Sequence, residues 1–251
     1  MSPENESWPS TSDGFEPARP APKKELLPKR VLASFAFLLG CVPRRRRGRT
    51  ALGVLTILMA FAGVLLLSYP LVTDFWAHSR QGNLSREFRS HDAIELYKRR
   101  EIKVGGALTR LVIPKMGACD SCHIDVIVVE GISGNALRAG AGHYEQTPLP
   151  GERGNVAIAG HRTGFGEPFR HLDALRQGDL IRLETPIGTY TYQVIGPFEG
   201  HGNPWITNSN DLSVLAPTID AELTLTTCDP PHTSKNRLIV RAKLIKSEIV
   251  A

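Results

Sequence analysis

The sequence has few cysteines, four among its 251 residues. Four cysteines allow at most two disulfides, which is too few to stabilise a chain of this length and excludes a disulfide-dense scaffold. The sequence also lacks any internal repeat. Its hydrophobic share of 41% and charged share of 22% exclude a wholly disordered protein. Length alone allows one or two domains.

The C-terminal part of the chain lacks the basic excess of the whole. The formal net charge is +5, of which residues 1–50 contribute +5, residues 73–103 contribute +2 and residues 104–251 contribute −2. A nucleic-acid-binding domain carries its basic residues clustered on its own surface. The charge distribution therefore argues against nucleic acid as a partner of the main domain.

Residues 51–72 lack charged side chains altogether. About 20 apolar residues in a helix cross the roughly 30 Å hydrocarbon core of a bilayer. A signal peptide has a shorter apolar region of about 7–15 residues. We therefore predict an uncleaved transmembrane helix, with a cleaved signal peptide as the alternative. The arginine cluster at 44–49 predicts a single-pass protein with a cytoplasmic N-terminus and residues 73–251 outside.

Two polar segments flank the predicted membrane helix. Residues 1–50 are basic, and the six prolines among the first 30 residues predict a disordered cytoplasmic tail. Within it, the apolar segment 31–43 is too short to span a membrane. Residues 73–106 are interpreted as an extracytoplasmic stalk, with a helical pattern around Asp92–Arg100.

From residue 107 onward the sequence consists of short β-like runs separated by turn residues. Such spacing predicts a mainly β domain, a barrel or a sandwich. One short helix is predicted at Phe169–Arg176. The predicted strands are Leu108–Ile113, Ile124–Val129, Asn155–Ala159, Leu180–Glu184, Thr189–Ile195, Leu223–Thr227 and Leu238–Leu244.

Cys228 is the strongest candidate for a reactive group. It follows the alternating strand Leu223–Thr227, and Asp229-Pro230-Pro231 comes directly after it. An unpaired thiol outside the cytoplasm is exposed to oxidation. Cys119 and Cys122 can pair with each other and Cys41 lies on the other side of the predicted membrane helix, so Cys228 is the odd thiol. The alternative is a packing cysteine at a strand end.

Two further residues lie where a predicted strand meets a loop. His161 follows Asn155–Ala159 between glycines, and Arg237 precedes Leu238. A thiol, an imidazole and a guanidinium can act as nucleophile, acid/base and anion-stabilising group. Spacing alone leaves coincidence open as an alternative.

The segment Cys119–His123 has the C-x-x-C-H pattern of c-type haem attachment. No second axial ligand is evident near it, and its β-rich surroundings do not fit a thioredoxin-like redox site. A local disulfide or two loop thiols are the favoured interpretations.

Several ordered motifs resemble those of a known family. The stretch LTLTTCDPPHTSKNR at 223–237 resembles the TLxTC…R signature of sortases, and GNVAIAGHRTGFGEPFRHLDALRQGD at 154–179 resembles their histidine region. The segments IPKMG, VVEGIS and GAGHYEQTPLPGERGN also fit in the same order. The segments AGHRTGFGEPF and TTCDPP are most similar to those of class E sortases. The resemblance covers residues 107–246.

The resemblance implies an eight-stranded β-barrel of sortase type with short helices, after a single transmembrane helix. It implies a cysteine transpeptidase in which Cys228 is the nucleophile, His161 the acid/base and Arg237 the group that binds the substrate backbone or oxyanion. Substrate or oxyanion contacts would come from Thr227, Phe165, His143 and Tyr144. The chemistry requires no cofactor and no metal, and no acidic cluster argues for calcium.

The resemblance also implies partners at the cell membrane. Secreted proteins with a C-terminal sorting signal of LAXTG or LPXTG type would be cleaved between Thr and Gly. They would then be joined to the amine of a lipid II-type peptidoglycan precursor. Class E sortases usually have a tyrosine where this chain has Gly164-Phe165.

Three alternatives accompany this interpretation. One is a catalytically silent, membrane-tethered binding module, and another is a pilin-polymerising sortase. An L,D-transpeptidase is disfavoured, because its histidine comes close before its cysteine whereas His161 and Cys228 are 67 positions apart.

Overall fold

The computed structural model describes residues 46–119 and 122–249. The proline-rich tail up to residue 45, with the segment 31–43, lies outside the described residues. The chain divides into two compact units, residues 1–61 and 62–251. The described part of the first unit is helical, and the second unit contains all the strands.

Helix α1 spans Arg46–Phe88, which is 43 residues. An apolar 18-residue stretch of this helix has a mean hydropathy of 2.4, and none of its residues is buried. A helix of this length extends about 65 Å, roughly twice the hydrocarbon thickness of a bilayer. By length and composition α1 can therefore span a membrane, and it continues well past the predicted boundary at residue 72.

The C-terminal part of α1 packs against the β domain. Ala77 and Leu84 are buried on one helix face. Between them, Gln81 Nε2 donates to the carbonyl oxygens of Ile127 at 3.1 Å and Ala139 at 2.7 Å. Its Oε1 accepts the backbone N–H of Ile127 at 2.7 Å. These contacts fix α1 to the edge of the β domain.

Helix α2 spans His91–Arg99, close to the helical pattern seen in the sequence. It buries Ala93 and Tyr97. Burial raises the pKa of Tyr97 far above the ordinary tyrosine value. The segment predicted to be a stalk, 73–106, is thus mostly helical and packed, although the domain boundaries themselves stay a prediction.

After α2, the described residues of the second unit form nine strands, one short helix and two 3-10 turns. The helix α3, Gly134–Ala139, begins with the Ser133 side chain accepting the N–H of Ala136. The strands are β1 Ala107–Ile113, β2 Ile124–Glu130, β3 Ala141–His143, β4 Gly154–Ala159, β5 Leu180–Thr185, β6 Gly188–Val194, β7 Trp205–Asn208, β8 Ala221–Asp229 and β9 Asn236–Ile249.

Eight of these strands close into a barrel, as the sequence analysis expected. The order is β6-β5-β1-β2-β3-β4-β8-β9, and β9 returns to pair with β6. Strand β9 is long enough, at 14 residues, to pair with β8 near its start and with β6 toward its end. Strand β7 is additional and pairs only with the start of β9.

Alternation separates an inner from an outer barrel face. The inner residues Val156, Ile158, Leu223 and Leu225 belong to one continuous buried core. Residues between them therefore point outward, because successive side chains of a strand face opposite sides. This outer face of β4, β8 and β9 carries the candidate site.

The helix predicted at Phe169–Arg176 is only a single 3-10 turn, Leu172–Ala174. Phe169, Leu172 and Leu175 are all fully buried. A spacing of three residues matches the period of the 3-10 helix, in which side chains three apart are eclipsed. The prediction of a short helix here is therefore correct in position, but the helical part is shorter than predicted and of the 3-10 type.

Candidate active site

The register of β8 and β9 brings Cys228 and Arg237 together. The two residues are direct partners in this antiparallel pair. Direct partners have their Cβ atoms about 4.5–5.5 Å apart on the same face. The sequence analysis ended the strand at Thr227, whereas β8 continues to Asp229 and includes the cysteine.

The parallel pairing of β4 with β8 brings His161 to the other side of Cys228. Ala159 and Thr226 are the last register pair of this ladder, and His161 and Cys228 each follow two residues later along their chains. The Gly160 N–H donates to the carbonyl oxygen of Thr226 at 3.1 Å, which continues the ladder past the end of β4. In the strand order β4-β8-β9, Cys228 therefore lies between His161, just past the end of β4, and Arg237, near the start of β9; these three residues are called the row below.

Cys228 is a free, partly exposed thiol. Cys119 and Cys122 form a disulfide with each other, as the favoured interpretation expected. The disulfide leaves neither cysteine available for haem attachment. Among residues 46–119 and 122–249, no group of three or more His, Cys, Asp or Glu side chains is placed to hold a metal ion.

His161 lies in a half-buried, positively charged setting. Burial and, to a smaller degree, the charge of Arg138 lower its pKa below the ordinary histidine value. The Phe165 ring lies 5.4 Å from the imidazole, centroid to centroid. The Arg138 guanidinium lies over the same Phe165 ring at 5.6 Å. The sequence analysis did not identify Arg138 as part of the site, because residues 134–139 show no recognisable helical pattern.

Arg237 is held by its own loop. Its Nη1 donates to the carbonyl oxygens of Ser234 at 3.1 Å and Asn236 at 3.0 Å. Both contacts use the same nitrogen. The planar guanidinium has further N–H groups with which to donate to a substrate oxygen.

The remaining sequence candidates fall into two groups. Tyr144 and Phe165 lie beside the row, with the Tyr144 hydroxyl 3.4 Å from the Thr226 hydroxyl. Thr227 faces inward and its hydroxyl donates to the Gly160 carbonyl oxygen at 2.8 Å. It therefore supports the histidine segment and does not point along the row.

His143 is not brought to the row. Its side chain is only 1% exposed, and Nδ1 contacts the Glu130 carboxylate at 3.0 Å. Its Nε2 contacts the Pro148 carbonyl oxygen and the Thr147 hydroxyl, both at 3.0 Å. Both ring nitrogens thus have partners inside the protein, and this histidine holds the β3 loop in place.

The long connection between β6 and β8 borders the outer face beside the row. Asn203 receives the Arg241 N–H at 3.0 Å and donates to the Arg241 carbonyl oxygen at 2.7 Å. Asn155 donates to the carbonyl oxygen of Val214 at 2.9 Å. Burial lowers the pKa of Arg241 from its usual value. Both halves of the connection are thus attached to buried polar groups of the barrel.

Comparison with known proteins gives concordant results. The family model described as the sortase domain matches residues 111–245. Sortase SrtE1 of Streptomyces coelicolor is 30% identical over 203 residues, which are 73% of this chain and 54% of that protein. The chain spans about half the length of the curated relatives it matches.

Solved structures resemble the fold as well. A Clostridium perfringens sortase D5 transpeptidase superposes with a TM-score of 0.54 at 28% identity, covering 67% of this chain and 98% of that one. Sortase SrtF of Corynebacterium diphtheriae has a TM-score of 0.53 at 30% identity, covering 60% of this chain and 90% of that one.

Proposed function

The chain belongs to the sortase family and is similar to its class E members, and from this we propose that it is a membrane-anchored cysteine transpeptidase. Its substrates would be secreted proteins with a C-terminal LAXTG or LPXTG signal. Its acceptor would be the amine of a lipid II-type cell-wall precursor. The observation that carries the proposal is the single row of His161, Cys228 and Arg237 across three adjacent strand ends.

The row supports acyl transfer in two steps. In the first, the Cys228 sulfur attacks the threonine carbonyl carbon while Arg237 stabilises the negative oxygen. The carbon–nitrogen bond then breaks, and His161 gives its proton to the departing glycine amine. In the second step an incoming amine attacks the thioester carbon and His161 accepts the amine proton. The carbon–sulfur bond breaks and the thiolate is restored.

The lowered pKa of His161 has a kinetic consequence. The reaction needs an imidazolium together with a thiolate, and a histidine that loses its proton readily reduces the fraction of enzyme in that form. We therefore expect slow turnover, with transfer favoured where water is kept from the thioester.

The test uses the full chain in detergent micelles or nanodiscs. Peptides with LAXTG and LPXTG signals are mixed with a small amine, and the products are identified by mass spectrometry. Cleavage between Thr and Gly with amine transfer, abolished in Cys228→Ala, supports the proposal and ranks the two signals. Cys228→Ala that retains full activity would contradict it.

The alternatives give different products. If neither peptide is cleaved and Cys228 resists alkylation, a catalytically silent binding module is favoured. If a lysine-containing pilin segment is the preferred acceptor over small amines and precursor analogues, a pilin-polymerising role is favoured.

A further inference from the structure

Arg162 follows the proposed acid/base directly and is buried, with 7% of its surface exposed. Its Nη1 donates to the carbonyl oxygen of Cys228 at 3.4 Å and forms an ion pair with the Asp229 carboxylate. Its Nη2 lies 3.2 Å from the carboxylate of Asp173. One guanidinium thus joins the histidine loop, the strand end that carries the thiol and the 3-10 turn.

We propose that Arg162 is a positioning residue that sets the separation of His161 from Cys228 for catalysis. The inference rests on the proposed transpeptidase function. Gly160 is tied to β8 on one side of His161 by its own N–H and carbonyl groups. Arg162 ties the other side to Cys228 and Asp229. The imidazole is therefore bracketed between two attachments to the strand that carries the nucleophile.

The contribution of Arg162 is geometric. Its single positive charge faces two carboxylates, those of Asp229 and Asp173. This cluster gives no net positive charge that could favour a thiolate. The planar guanidinium of arginine has several N–H groups in fixed directions and can bind these three acceptors at once. A lysine ammonium on its flexible side chain cannot hold the same geometry. A substitution that keeps the positive charge, such as Arg162→Lys, should therefore still impair the positioning of His161.

The first test compares Arg162→Lys with Arg170→Lys in the full chain. Arg170 lies in the same loop but is exposed and pairs with Glu167. We expect Arg162→Lys to lower kcat about 10- to 100-fold, since displacement of a catalytic group by about 1 Å can cost on the order of 10² in rate. KM for the peptide should change less than about threefold, because the lost contacts do not involve substrate binding. Arg170→Lys should behave as the parent.

A double-mutant cycle separates positioning from general destabilisation. If Arg162 acts through Asp229, the double variant Arg162→Lys/Asp229→Asn should lose no more kcat than the larger single loss. Losses of kcat that multiply, or that disappear when activity is assayed well below each variant's Tm, would overturn the proposal.

A readout without substrate keeps this inference separate from the proposed function. In a His161→Cys background, a short bifunctional thiol reagent can link positions 161 and 228. Adding Arg162→Lys should slow this crosslinking severalfold, whereas Arg170→Lys should not. Equal crosslinking rates in all three proteins would overturn the positioning role, even if the peptides proved to be the wrong substrates.

Discussion

At the scale of single residues, the Thr227 hydroxyl attaches the segment before His161 to β8 from outside the row. It donates to the Gly160 carbonyl oxygen and is 2% exposed. Thr227→Val keeps the shape but leaves that carbonyl unpaired, at a cost of about 1–3 kcal/mol. We expect kcat to fall about tenfold, because Gly160, the residue before His161, loses one of its two attachments to β8.

Thr227→Ser is the matched control for this effect, since it restores a hydroxyl at the same atom. Peptide cleavage by Thr227→Ser should lie within about threefold of the parent rate. Full activity in Thr227→Val would show that the hydroxyl has no part in holding the histidine.

Arg138 offers a test of the electrostatics around His161. Its charge lowers the His161 pKa, so Arg138→Gln should raise that pKa. The limb of the kcat/KM profile that reports loss of the imidazolium proton should then move to higher pH. Burial is the larger cause, so the limb should remain below the position expected for an exposed histidine.

Arg182→Gln on β5 is the control for this charge change, since β5 lies on a different part of the barrel. Its pH profile should match that of the parent. A shift of equal size in both variants would indicate a general charge effect and not a local one at His161.

At the scale of elements, the docking of α1 depends on a polar side chain that hydrogen-bonds the backbone of β2 and of α3. Gln81→Leu removes three hydrogen bonds and leaves the Ile127 N–H without its partner. Each buried group left unpaired costs about 1–3 kcal/mol. We expect the β domain of the full chain to unfold at lower temperature or denaturant concentration.

Ser79→Leu provides a comparison on the same helix, because Ser79 is exposed. Its unfolding midpoint in detergent should stay close to that of the parent. An unchanged midpoint in Gln81→Leu would indicate that α1 and the β domain are not coupled through this side chain.

Strand patterns in the sequence predicted the barrel well, because most of its strands alternate over five or more residues. Strands β3 and β7 were missed, since three or four residues carry too little alternation to recognise. The sequence placed His161, Cys228 and Arg237 at strand ends. Their row depends on a parallel pairing between segments some 67 positions apart, which local patterns cannot specify and which the family resemblance implied.

At the scale of the whole molecule, charge is distributed unevenly on the two sides of the apolar segment. The basic residues before the apolar segment contrast with a slightly acidic domain after it. By the positive-inside rule, the arginine cluster at 44–49 predicts an orientation with the thiol outside the cell. Sorting signals and cell-wall amines are extracytoplasmic, so the proposed function requires this orientation.

Cys41 and Cys228, which lie on opposite sides of the predicted membrane helix in the sequence, allow the orientation to be measured in intact cells. Cys228 is partly exposed, and Cys119 and Cys122 are paired and unreactive toward maleimides. A membrane-impermeant maleimide should therefore label the Cys41→Ser variant without permeabilisation. The Cys228→Ala variant, which retains Cys41 on the cytoplasmic side, should be labelled only after the membrane is opened. The reverse pattern would place the row in the cytoplasm, away from any secreted substrate, and the proposed transpeptidase function would fail with it.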